Sequence, residues 1–123
     1  MGENVESYKE LKVWQEGVKL VEGIYELTRS FPPKEQYSLT SQIQRAAVSI
    51  PTNIAEGWGR GKTGEYVQFL RIARGSLMEL ETQLIISHRL NYIDQNTLSQ
   101  LEENIERIGK MINALIKNLG TRG

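Results

Sequence analysis

From Leu98 to Leu119 the chain places Leu98, Leu101, Ile105, Ile108, Ile112, Leu115 and Leu119 at alternating intervals of three and four. This spacing follows the 3.6-residue turn of an α-helix and lines all seven side chains along one face. A helix with such a stripe is stable only when another element covers it. Three further segments carry the same pattern. Leu11, Trp14, Val18, Val21 and Tyr25 form a stripe in the first. Leu39, Ile43, Ala46, Ile50 and Ile54 form one in the second. Tyr66, Phe69 or Leu70, Ala73, Leu77, Leu80 and Leu84 form one in the third. No segment alternates with the period of two that marks a half-buried strand.

The punctuation between these segments sets helices at about 7–30, 34–57, 63–90 and 94–119. Ser7 and Glu10 have the spacing of a capping box, and Phe31-Pro32-Pro33 stops the first helix. Asn91 suits a left-handed C-terminal cap, Asp94 opens the fourth helix with Ile93 and Leu98 as a hydrophobic staple, and Gly120 ends it. Pro51 falls inside the second helix, where a kink is expected; Ala46, Ala47 and Ser49 just before it leave room for a neighbouring helix. Four long helices joined by short loops predict an all-α, antiparallel up-and-down four-helix bundle, and 123 residues make a single domain.

The first helix has a second apolar face. Val13, Leu20 and Leu27 recur every seven residues and are joined by Ile24 and Phe31. An apolar face beyond what one bundle needs marks an interface, so Val13, Leu20, Ile24, Leu27 and Phe31 are the expected surface for self-association. Acidic residues between them argue against a membrane, and no apolar run approaches the roughly 20 residues of a membrane span. The polar, acidic N-terminus is no secretory signal.

"GWGRGKTGEY", residues 57–66, has the look of a phosphate-binding loop. A nucleotide P-loop needs four residues between its first Gly and the Gly-Lys-Thr. Here Gly57 and Gly61 have three residues between them, and Glu56 stands where the first glycine belongs. The four glycines 57, 59, 61 and 64 are read instead as a turn between the second and third helices, with Thr63 capping the third.

Other chemistry is no better supported. There is no cysteine, which excludes disulfides and thiolate sites and fits a reducing cytoplasm. The single histidine, His88, lacks the Glu-x-x-His spacing of a di-iron bundle, and Asp94, the only aspartate, is needed as a cap. Glu102 and Glu103 fall on a charged, solvated face. No catalytic, cofactor or metal site is expected, and no small-molecule substrate is indicated.

Formal net charge is zero but unevenly placed. Residues 43–75 carry Arg45, Arg60, Lys62, Arg71 and Arg74 against Glu56 and Glu65, a local net of +3. Arg71 and Arg74 share a helix face, and Trp58 lies beside Arg60 and Lys62. Such a zone suits phosphate contacts with aromatic stacking. Arg45, Arg71 and Arg74 are equally suited to pairing with Glu56, Glu65 or Glu79 within or between subunits.

The blocks "LKVWQEGVKLVEGIYELT", "FPPKEQYSLTSQIQRAAVSIPTNIAEG" and "FLRIARGSLMELETQLIIS" resemble a bacterial four-helix-bundle family whose members include proteins encoded in 23S rRNA intervening sequences. The resemblance runs from about residue 8 to 119 and is most specific over Thr40–Gly57; Ser38 departs from an expected Gly. It implies a cytoplasmic bacterial protein, a left-handed bundle, a homopentamer and no known enzyme activity. A related branch, the accessory subunit of diversity-generating retroelements, is a basic pentameric barrel that binds nucleic acid and a reverse transcriptase. The expected function is therefore a non-enzymatic homo-oligomeric bundle that binds RNA or a ribonucleoprotein partner through the basic zone. The alternative is a structural or protein-interaction module without nucleic-acid contact.

Overall fold

The computed structural model describes residues 5–120. Four α-helices account for most of them: α1 (Lys12–Thr28), α2 (Leu39–Gly59), α3 (Thr63–Arg89) and α4 (Gln95–Gly120). No strand occurs among the described residues. The chain is an all-α four-helix bundle, and its cross-helix contacts fix the directions. Gly17 meets Pro51 while Gln44 bonds Thr28, so α1 and α2 are antiparallel. Ser49 meets Ser76 while Gly57 meets Tyr66 and Phe69, so α2 and α3 are antiparallel too. Gly109 faces Leu77 and Asn113 bonds Arg74, which runs α4 against α3.

The second, third and fourth stripes are the core. Ile43, Ala46, Ile50 and Ile54 of α2 are buried, with Tyr66, Leu70, Ala73, Leu77, Leu80 and Leu84 of α3. From α4 come Leu98, Ile105, Ile108, Ile112, Leu115 and Leu119. Small residues set the closest approach, between α2 and α3. A Cβ on Gly57 would stand 2.7 Å from the Cβ of Phe69, inside any real contact. Pro51 sits buried inside α2, and its ring packs on Gly17 of α1, where an added Cβ would come within 3.3 Å. The proline thus supplies a packing surface to α1 in exchange for its missing backbone donor.

The two apolar stripes of the first segment exchange the places expected of them, save that Leu11, the N-cap of α1, is buried as expected. Val13, Leu20, Ile24 and Phe31 are buried inside the protomer, Ile24 completely, and Leu27 is half-buried. They are not a free interface. Trp14, Val18 and Val21 are half-buried instead, and Tyr25 is exposed. The reason is Gly17, which lies on the same face as Val13, Leu20 and Ile24. Only that face lets the α1 backbone settle onto Pro51.

The loops depart from expectation in detail. Ser7 does cap a turn, accepting from the Lys9 N–H, but the turn is a separate 3-10 segment over Tyr8–Glu10 and α1 begins at Lys12. Lys34 likewise belongs to a 3-10 turn, Pro33–Glu35, ahead of α2. Gly57 and Gly59 are inside α2 and Gly64 inside α3; Gly61 alone has a positive φ, 76°. The N-cap of α3 is Lys62, not Thr63, and it makes no side-chain capping bond. Asn91 takes the left-handed conformation, φ 67°, and Asp94 accepts from the Thr97 N–H at 2.7 Å. The chain beyond Gly120 lies outside the described residues.

Glu35 ties the α1–α2 connection to the α3–α4 connection. Its carboxylate accepts from Ser38 and from the Tyr92 hydroxyl, each at 2.8 Å. These bonds hold its pKa below the usual glutamate value, the Ser38 bond most. A lowered native pKa contributes stability that is present at neutral pH and lost as pH falls through the carboxylate range.

Two glycines of α2 separate packing from propensity. Gly57→Ala should cost about 1–3 kcal/mol, the usual range for overpacking. Gly59→Ala, with nothing within 4 Å of the added methyl, should be neutral or stabilise by up to ~1 kcal/mol. Urea denaturation of the two variants checks the difference.

Candidate functional site

The basic zone is divided between two helices, with Arg45 on α2, Lys62 at the N-cap of α3, and Arg71 and Arg74 on α3. Arg60, the C-cap of α2, is held in place by Glu56 at 3.0 Å and Glu65 at 3.7 Å, and its guanidinium lies 4.8 Å from the Phe69 ring centre. Its charge is thus locally balanced by both acidic residues of the zone. Arg74 reaches across to α4 and donates to the Asn113 side chain at 2.7 Å. Arg45 lies on α2 beside Tyr25, in a shallow groove of about 490 Å³ shared with Val48 and Thr52. Lys62 and Arg71 are exposed, and among the described residues neither they nor Arg45 makes an ion pair. Of five basic candidates, only Arg60 has its charge balanced by an ion pair among the described residues; Arg74 has a neutral partner, and Arg45, Lys62 and Arg71 have no ion pair.

The i,i+4 spacing of Glu56 and Arg60 already favours their pairing. Arg74 belongs with Glu81 and Ile85 on the side of α3 that meets α4, a placement that only the packing of α4 decides. Asn53 spends its side-chain amide locally, donating to the carbonyl and hydroxyl of Ser49 at 2.8 and 2.9 Å.

Two features were not found from the sequence. The first is a carboxylate pair. Glu102 is half-buried, not solvated, and faces Glu81 of α3 in a groove that also holds Glu106. Burial raises the Glu81 pKa, and a hydrogen bond with Glu102 and the charges of Glu102 and Glu106 add to the shift. Seven positions separate Glu81 from Arg74, which puts both on the α4 side; that spacing was the available signal. The second is a cavity of about 330 Å³ at the corner between α2 and α3, lined in part by Trp58, Gly59, Gly61 and Lys62. The stretch that resembles a phosphate loop does border a cavity, but one walled by aromatic and glycine residues.

Among the described residues no group of three His, Cys, Asp or Glu side chains is placed to hold a metal. Asp94 is lowered in pKa mainly by the Thr97 backbone N–H, as a helix cap should be. No described helix is long and apolar enough to cross a membrane.

These features, four amphipathic helices with small residues at the α2–α3 contact, coincide with a known sequence family. Residues 9–114 match the profile of the 23S rRNA-intervening sequence protein. The chain belongs to that family. A solved structure of a protein of unknown function from the S23 ribosomal protein family of Bacteroides thetaiotaomicron is also similar. It is 23% identical, with a TM-score of 0.79 over 85% of this chain and 98% of that one. At this identity the likeness bears on the fold. No curated protein matches the chain. The S23-family fold is therefore shared while the surfaces are this chain's own.

The Glu81–Glu102 pair gives a test of the α3–α4 contact. A raised native pKa penalises the folded state as pH rises through it. Glu81→Gln should raise stability at neutral pH, by less than ~1 kcal/mol in so open a groove. It should also remove the gain in melting temperature on mild acidification. Thermal melts of both proteins from neutral pH to pH 5 check this.

Proposed function

We propose that this member of the 23S rRNA-intervening sequence protein family is a non-catalytic module that assembles with copies of itself into a closed ring. The observation that carries the reading is the outward strip of α1. Tyr25 is exposed on it and Val18 half-buried, Trp14 and Val21 form its inner edge against the core, and Val48 of α2 continues it beside Tyr25. A second, smaller apolar patch lies at the C-terminal end of α3, where exposed Ile86 and the C-cap Leu90 are one turn apart. Two different apolar patches on one protomer suit a head-to-tail contact, in which one patch meets the other on the next copy; such a contact closes into a ring when the rotation permits. The resemblance described above implies five copies. The interface assigned here is thus a neighbouring face of α1, not the one expected from the sequence.

A second reading concerns RNA. Arg45, Lys62 and Arg71 keep exposed charges without ion pairs among the described residues, and a ring would repeat them around its axis, so that weak phosphate contacts add by avidity. The family's description by an rRNA intervening sequence favours RNA or a ribonucleoprotein as the polymer. Little base preference is expected, because no element has the form of a groove reader.

Light scattering at micromolar protein should give a mass several times that of the protomer. Tyr25→Glu with Val21→Glu should bring it to that of one chain while helix content is kept. A clean monomer for the unaltered protein contradicts the ring. Structured RNA should bind at low salt and release steeply as salt rises, and Lys62→Glu with Arg71→Glu should abolish binding with the mass unchanged. Absence of binding at low salt leaves a protein-interaction module without nucleic acid.

A further inference from the structure

The cavity at the α2–α3 corner is bounded by Val5, Trp58, Gly59, Gly61, Lys62 and Tyr66, with a volume of about 330 Å³. Sites for small ligands begin at roughly 300 Å³ and are mostly apolar with a few polar groups that orient the guest. Three observations point to a ligand class.

The aromatic wall is braced from behind. Trp58 packs edge-on to Tyr8, ring centres 6.2 Å apart, and Tyr8 packs edge-on to Trp14 at 5.3 Å. Tyr66 lines the cavity from α3 and is itself buried. The Trp58 indole N–H makes no hydrogen bond to a described side chain or backbone group. The half-buried indole, with Tyr66 buried behind the wall, favours a flat guest.

One glycine at the cavity is unforced. Gly61 needs its positive φ, but Gly59 is the last residue of α2 and has no such need. A Cβ there would meet nothing within 4 Å. A helical glycine costs up to ~1 kcal/mol relative to alanine, and here neither the backbone nor a close helix contact requires it. Gly59 borders the cavity.

The charge at the cavity is uncompensated. Arg60 is balanced by Glu56 and Glu65, whereas Lys62 is exposed and makes no ion pair among the described residues. A single cation beside an apolar cavity selects an anion attached to the ring that fills it.

We propose that this cavity binds a planar aromatic molecule carrying one anionic group, with the ring against Trp58 and the anion at Lys62. This goes beyond assembly and does not depend on it. The ring and anion have two sources, a free aromatic acid or a nucleotide with its base and phosphate.

The test uses the full chain and three probes: naphthalene-2-carboxylate, its neutral carboxamide, and adenosine monophosphate without metal. Ligand-observed NMR and tryptophan fluorescence report binding. The carboxylate should bind about tenfold more tightly than the carboxamide, the size of effect expected for one charged contact. Lys62→Gln should erase that preference and keep binding of the ring. Gly59→Leu, which fills the space, should abolish binding with the melting temperature unchanged or raised. Competition by adenosine monophosphate assigns the site to nucleotides; binding of the carboxylate without competition assigns it to free aromatic acids. The proposal is overturned if neither anion binds at millimolar concentration, or if Gly59→Leu binds as the unaltered protein does. Should Gly59→Leu fail to fold, an unchanged carboxylate preference in Lys62→Gln overturns it equally.

Discussion

A methyl group on residue 57 would sit 2.7 Å from the Cβ of Phe69, so α2 and α3 can cross where they do only because that residue is glycine. The rest of the bundle is arranged around this pair. Small side chains continue along the contact, with Ala46, Ala47 and Ala73 buried and Ser49 bonded to Ser76 at 2.8 Å. Once α2 is fixed, its buried proline ring offers α1 a flat seat at Gly17. The fourth helix then covers the remaining apolar face of α3, and polar links fasten its edges. Arg74 bonds Asn113, and Arg107 meets the nearly buried Glu16 of α1 at 2.9 Å. These links set register, whereas the apolar area supplies most of the stability.

How far the sequence could be read depended on whether a helix had one stripe or two. The fourth helix has one, and nearly all of it is buried. Asn91 and Asp94 could be read for the same reason: each does locally what only its side-chain type does well. The first helix has two stripes of similar apolarity, and counting apolar residues chose the wrong one. Gly17 was the deciding residue, because a backbone can approach Pro51 only where no side chain intervenes. The candidate basic surface was legible in composition but not in space. Local charge counting brought Arg60 and Arg74 into the zone, and packing then gave each of them a partner within the chain.

The functional consequence is a division of labour among surfaces. Exposed apolar side chains occur on α1 and α2 at Tyr25 and Val48, and towards the end of α3 at Ile86 and Leu90, and the proposed assembly would use them. The corner between α2 and α3 carries a different chemistry, with braced aromatic rings, a vacant glycine position and one unpaired lysine. Phosphate-loop geometry is absent there, yet the same glycine-rich stretch that suggests it also borders the cavity. Family membership accounts for the fold, and these two surfaces are where this chain's own activity is to be sought.

The assignment of the α1 faces is the central structural claim, and thiol protection tests it most directly. The chain has no cysteine, so each introduced thiol reports alone. In Ile24→Cys the thiol should react only as fast as the protein unfolds. In Tyr25→Cys it should react freely in dilute protein and become protected as concentration rises and copies associate. Ready reaction at residue 24 in the folded protein, or reactivity at residue 25 that is indifferent to concentration, would contradict the assignment of these faces.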